Sequence, residues 1–117
     1  MNRVVFLLEE RSMKSLLDVL LPRLMPGINF LCIPHEGKRD LEKSIPRKLR
    51  AWQEPGARFV IVRDNDGGDC HILKQRLVEL CNGPKSSAVM VRIACQELEK
   101  WLPGSAVMVI ALVVSKL

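Results

Sequence analysis

The chain has 117 residues, with 18 Lys and Arg against 13 Asp and Glu, and a formal net charge of +5. Apolar residues make up 48% of it, enough for one packed domain and too many for wholesale disorder. Its longest unbroken apolar run, Ala106 to Val114, falls far short of the ~20 residues a membrane-spanning helix needs. No small-residue cleavage site follows the short Val4–Leu8 run, so no signal peptide is read there, and the expected setting is cytoplasmic with no membrane partner.

In chain order, Val4–Leu8 predicts a buried strand. Ser12 is placed to cap a helix with an apolar stripe at Leu16, Leu17, Leu20, Leu21 and Leu24. Pro22 is expected to kink or fray its end, and Pro26-Gly27 to stop it. Ile28–Ile33 is a second strand-length run, closed by Pro34. The stretch from Asp40 to Trp52 is helical in pattern and basic, and Pro46 divides it into two short helices. After a turn at Glu54-Pro55-Gly56, Phe59–Val62 predicts a third strand. Asp69 can cap a helix whose buried stripe is Leu73, Leu77, Leu80 and Cys81, and Val89–Ala94 is a fourth strand.

Strands alternating with helices predict an α/β fold: a mainly parallel sheet of four to five strands with flanking helices. Right-handed crossovers bring every strand's carboxyl end to one edge, where the sites of such folds lie. The residues at these ends are charged. Glu9 and Glu10 follow the first strand, and His35-Glu36-Gly37-Lys38 the second. Arg63-Asp64-Asn65-Asp66-Gly67-Gly68-Asp69 follows the third, and Gln96-Glu97-Leu98-Glu99 the fourth. Carboxylates converging from neighbouring strand ends repel, and a hard divalent cation relieves that repulsion. The acids point to a Mg²⁺ (or Mn²⁺) site able to act on a phosphodiester. The plainer reading of Asp64 to Asp69 is a capped strand-to-helix loop, for which Asp, Asn and Gly are the usual residues. His35 reads equally as a loop histidine or an accessory catalytic one.

The positive charge is concentrated. From Lys38 to Arg63 there are eight cations (Lys38, Arg39, Lys43, Arg47, Lys48, Arg50, Arg58, Arg63) and three acids, so this segment equals the whole net charge. It reads either as an electrostatic footprint for a polyanion or as a solvated helix face. The four cysteines, Cys32, Cys70, Cys81 and Cys95, form no Cys-x-x-Cys pair and are read as reduced, mostly buried thiols. The Asp64–Asp69 run departs from a calcium loop at its sixth position, which is Asp69 rather than Gly, and no Walker or dinucleotide glycine pattern is present.

Four motifs occur in order: Phe6-Leu7-Leu8-Glu9-Glu10-Arg11-Ser12, His35-Glu36-Gly37-Lys38, Arg63-Asp64-Asn65-Asp66 with Asp69-Cys70, and Arg92-Ile93-Ala94-Cys95-Gln96-Glu97-Leu98-Glu99-Lys100-Trp101. Over residues 1–101 this set resembles the bacterial family called domain of unknown function 4276, a Toprim-like family. Toprim domains bind Mg²⁺ through a Glu after the first strand and an Asp-x-Asp after a later one, and make or break phosphodiester bonds. The resemblance implies Glu9, Asp64 and Asp66 as the metal-binding and catalytic set, with Asp69, Glu97 and Glu99 in motifs of unassigned role. It also implies an ATPase partner in phage defence. Residues 102–117 depart from the family pattern and are expected to be an atypical apolar tail of a shortened or frameshifted member.

The function expected is therefore a Mg²⁺-dependent, nuclease-like protein. Glu9, Asp64, Asp66 and Asp69 would lie at the metal, and Lys38, Arg39, Lys43, Arg47, Lys48 and Arg50 on a nucleic-acid backbone. The alternative is a non-catalytic binding module or an inactive subunit of a defence complex. A receiver-like phosphoacceptor domain shares the acid placement, but it fits poorly with the basic charge and with the absence of a Lys after a fifth strand before Lys116.

Overall fold

A computed structural model of the chain describes residues 3–64, 69–83 and 88–94. It is an α/β fold of seven described elements in the order β1 (Val4–Leu8), α1 (Arg11–Leu24), β2 (Phe30–Pro34), α2 (Lys38–Ala51), β3 (Arg58–Asp64), α3 (Cys70–Leu80) and β4 (Val89–Ala94). The four strands form one sheet in the order β2-β1-β3-β4, and every pairing is parallel. Residues 102–117 lie outside the described residues. Among those that are described, no helix is long and apolar enough to cross a membrane.

β1 is buried along its whole length because it is apolar on both faces, as a central parallel strand must be. Val4, Phe6 and Leu8 face α1, where they meet Met13, Leu17 and Leu21. Val5 and Leu7 face the other way and pack with Phe59, Ile61 and Val91 under Leu41, Ile45 and Leu49 of α2 and Leu77 of α3. One helix thus covers one face of the sheet and two cover the other. Beyond α2, Trp52 meets Phe59 edge-on, with ring centroids 5.6 Å apart.

Several boundaries differ from the sequence reading. The N-cap of α1 is Glu10, in extended conformation and with no side-chain cap bond, so Ser12 lies inside the first turn. The helix runs two residues past Pro22 and closes with the Met25 amide on the Leu21 carbonyl. Pro46 does not divide α2. Leu41, Ile45 and Leu49, one turn apart and buried, hold both halves of the helix to the sheet and offset the single missing hydrogen bond.

β2 begins at Phe30, where Val4 pairs with it, and the Val4 amide donates to the preceding Asn29 carbonyl. β3 runs on past the apolar run to Asp64, since β4 pairs with it as far as Asp64 opposite Ala94. Asp69 caps α3 as expected: its Oδ1 accepts from the amides of His71 and Ile72 at 2.8 and 3.2 Å.

Candidate functional site

Strand order locates the site. From β1 the chain winds through α1 to β2. It then returns through α2, past β1, to β3, and continues the same way through α3 to β4. The winding reverses between β1 and β3, and open parallel sheets form a ligand crevice outside the carboxyl ends at such a reversal. Glu9 follows β1 directly, and Asp64 is the last residue of β3. Leu8 pairs with Val62, so Glu9 lies one residue beyond that rung and Asp64 two. Two of the expected acids therefore leave adjacent strands at the reversal point. Asp66, Glu97 and Glu99 lie outside the described residues.

The loop after β2 grips the end of β1. Gly37, at φ 105°, donates its amide to the Glu9 carbonyl at 3.0 Å. His35 is buried, with Nδ1 2.8 Å from the Leu8 carbonyl and Nε2 2.8 Å from Ser44 Oγ on α2. A carbonyl only accepts, so Nδ1 carries a proton and donates, and in the neutral ring Ser44 donates to Nε2. Both ring nitrogens are thus committed. The ring therefore ties the end of β1 to α2.

Arg63 corrects the sequence reading more sharply. It is counted there among the cations of a polyanion footprint, yet its side chain is 5% exposed. Nη1 donates to Glu42 Oε1 of α2 at 3.0 Å, and Arg76 of α3 reaches the same oxygen. Its Nε is buried with no hydrogen-bond partner among the described residues. The alternation of β3 turns Arg63 to the face that α2 and α3 cover, so a basic residue beside an acidic motif becomes an internal strut.

Arg58 is exposed but opens β3, at the opposite edge of the sheet. What remains of the footprint lies on α2. Arg39, Lys43, Arg47 and Arg50 are exposed at spacings of four, four and three residues, so they share one outer stripe about 16 Å long. Lys38 is exposed at the head of the helix, and Lys48 is half-buried. The two acids of α2 are engaged elsewhere: Asp40 Oδ2 accepts from the Glu36 amide at 2.9 Å, and Glu42 holds the arginines.

Asp69 is exposed, and its Oδ1 is taken by the α3 cap. Among the described residues no three His, Cys, Asp or Glu side chains gather as a metal ion would need. Carboxylates are the chemical type of ligand a hard cation takes, and Mg²⁺ needs only one or two of them while keeping its waters. A cavity of about 150 Å³ bounded by Leu49, Arg50, Leu80 and Cys81 lies between the carboxyl ends of α2 and α3, at the opposite edge from these acids.

Glu42 and Ser44 go unremarked in the sequence reading. Their signal is present, though: both are polar and sit beside Leu41 and Ile45 on the inward side of an amphipathic helix. Against models of protein families, curated proteins and solved structures, the chain has no match.

Proposed function

We propose that the protein is a Toprim-like, divalent-metal-dependent phosphodiesterase that acts on nucleic acid. One observation supports it above all: Glu9 follows β1 and Asp64 ends β3, adjacent strands at the point where the winding of the sheet reverses. Glu9, Asp64 and Asp66 would hold Mg²⁺ or Mn²⁺, with Asp69 as a further carboxylate of the same motif. The chemistry such an ion supplies is Lewis-acid stabilisation of charge on phosphoryl oxygens. The chain's own part is to bring the acid-bearing ends of two adjacent strands to one edge and to hold the polyanion. Arg39, Lys43, Arg47 and Arg50 contact backbone phosphates without reading sequence, and Lys38 lies at the head of the same helix.

The test is nicking of supercoiled plasmid with Mg²⁺ or Mn²⁺, comparing the natural sequence with Asp64→Ala. The expected result is divalent-dependent nicking that Asp64→Ala abolishes. Undiminished nicking by that variant, or nicking in excess chelator, overturns the reading. Salt-sensitive DNA binding that survives Asp64→Ala, with no cleavage under either metal, marks the protein as a binding module instead.

A further inference from the structure

α2 is tied to both strand ends that lead into the proposed acidic pair. Through Ser44 it holds His35, whose Nδ1 donates to the carbonyl of Leu8, the residue before Glu9. Through Glu42 it holds Arg63, the residue before Asp64. We infer that His35 and Arg63, anchored by Ser44 and Glu42, are positioning residues that set the separation of Glu9 and Asp64; the inference rests on the metal-site reading above.

Helix geometry makes one element sufficient for both ties. Successive helical residues turn by about 100°, so positions 42 and 44 project about 200° apart. α2 carries the chain from β2, past β1, to β3. A side chain leaving one flank of it meets the β2 end, and one leaving the other flank meets β3. Ser44 and Glu42 occupy those two flanks, with Leu41, Ile45 and Leu49 anchoring the helix between them.

Both tied side chains are more than nine-tenths buried, with His35 7% and Arg63 4% exposed. Apolar residues of similar volume would serve stability at least as well, since buried ion pairs rarely outdo a packed hydrophobe. What the polar ties add is direction, because each ends on a specific atom at a specific strand end. Glu9 and Asp64 leave the carboxyl ends of adjacent strands, and neighbouring strands in a sheet run roughly 5 Å apart. Two struts from one rigid helix fix the spacing of those two strand ends. The Gly37 amide on the Glu9 carbonyl adds a third point on the β1 side.

The test measures affinity for Mn²⁺ alone, by calorimetric titration of the full chain, together with metal-free stability in urea. The variants are Ser44→Ala, Ser44→Thr and Glu42→Gln, with Ser15→Ala on the exposed side of α1 as control. Groups that orient metal ligands from behind contribute about 10–100-fold in affinity. Ser44→Ala and Glu42→Gln are expected to weaken Mn²⁺ binding by about that factor, and Ser44→Thr, which keeps the hydroxyl, to restore most of it. Ser15→Ala should bind as the natural sequence does. Variants that lose urea stability but keep their Mn²⁺ affinity overturn the positioning role and leave the metal site standing. No Mn²⁺ binding by the natural sequence overturns both. Should Ser44→Ala fail to fold, Glu42→Gln and Ser44→Thr decide the question through the same affinity measurement.

Discussion

Arg63 and Glu42 form an ion pair at 3.0 Å, with side-chain exposures of 5% and 20%. The arginine belongs to the third strand and the glutamate to the second helix, so the pair bolts one layer of the fold to the other. Removing one partner strands a charge that burial has already stripped of water. Fully buried pairs broken this way cost about 3–5 kcal/mol, and the residual exposure of Glu42 lowers the expectation here to about 2–3 kcal/mol for Glu42→Gln. Replacing both partners, as Glu42→Leu with Arg63→Met, removes the stranded charge and should recover most of that loss. Urea unfolding of the single and double variants checks it. A single variant that unfolds at the natural midpoint would refute the strut.

Gly37 makes a second, independent prediction. Its φ of 105° with ψ of −178° is a conformation that L side chains rarely adopt, yet a Cβ built there meets nothing within 4 Å. The cost of Gly37→Ala is therefore backbone strain and not a clash, about 1–3 kcal/mol. It also disturbs the amide that donates to the Glu9 carbonyl. Thermal unfolding should show a clear drop, and an unchanged midpoint would contradict a strained backbone at this position.

The buried thiols predict an alkaline limb of instability. Burial, reinforced by the charge and hydrogen bond of Asp18, pushes Cys32 up from 9.0 to about 12, and burial pushes Cys81 up to about 11. The folded state thus favours the neutral thiol over the thiolate. The stability this contributes is fully present below pH 9, and it is lost as the pH rises through about 11 and 12. In a background with Cys70→Ser and Cys95→Ser, the two remaining thiols should react with iodoacetamide at pH 8 far more slowly than in urea. Equal rates with and without urea would show that neither is protected.

The outer stripe of α2 predicts a salt slope. Removing one phosphate-binding cation should reduce the dependence of log affinity on log salt by about 0.9 on duplex DNA and about 0.7 on a single strand. Arg39→Gln, Lys43→Gln, Arg47→Gln and Arg50→Gln should each lower the slope by such a step, measured by fluorescence anisotropy in chelator. Arg58→Gln, at the far edge of the sheet, should leave it unchanged. Equal effects at Arg58 and Arg47 would show that only net charge matters.

The elements themselves were legible in the sequence because their causes are local. Unbroken apolar runs mark strands buried on both faces, and stripes one turn apart mark helices that pack on one side. Asp69 declared its cap by residue type and position alone. Local signals failed where a distant partner governed the outcome. Pro46 looked like a break, but three buried side chains on the sheet keep α2 whole. Asp64 looked like a loop residue, but pairing with β4 draws it into β3.

The candidate site divides along the same line. That charged residues follow each strand is written in the order of the amino acids, and right-handed crossovers then bring those strand ends to one edge. Which ends are neighbours is not written there. Nothing in local periodicity says on which side of β1 the chain lays down β2 or β3, since that depends on how the helices share the two faces of the sheet. The order β2-β1-β3-β4 emerges from the packed fold, and with it the adjacency of the strand ends that lead to Glu9 and Asp64. The same packing turns Arg63 and His35 inward. Their side chains are long and polar enough to belong on a surface, and burial becomes tolerable only because α2 brings Glu42 and Ser44 within hydrogen-bond reach.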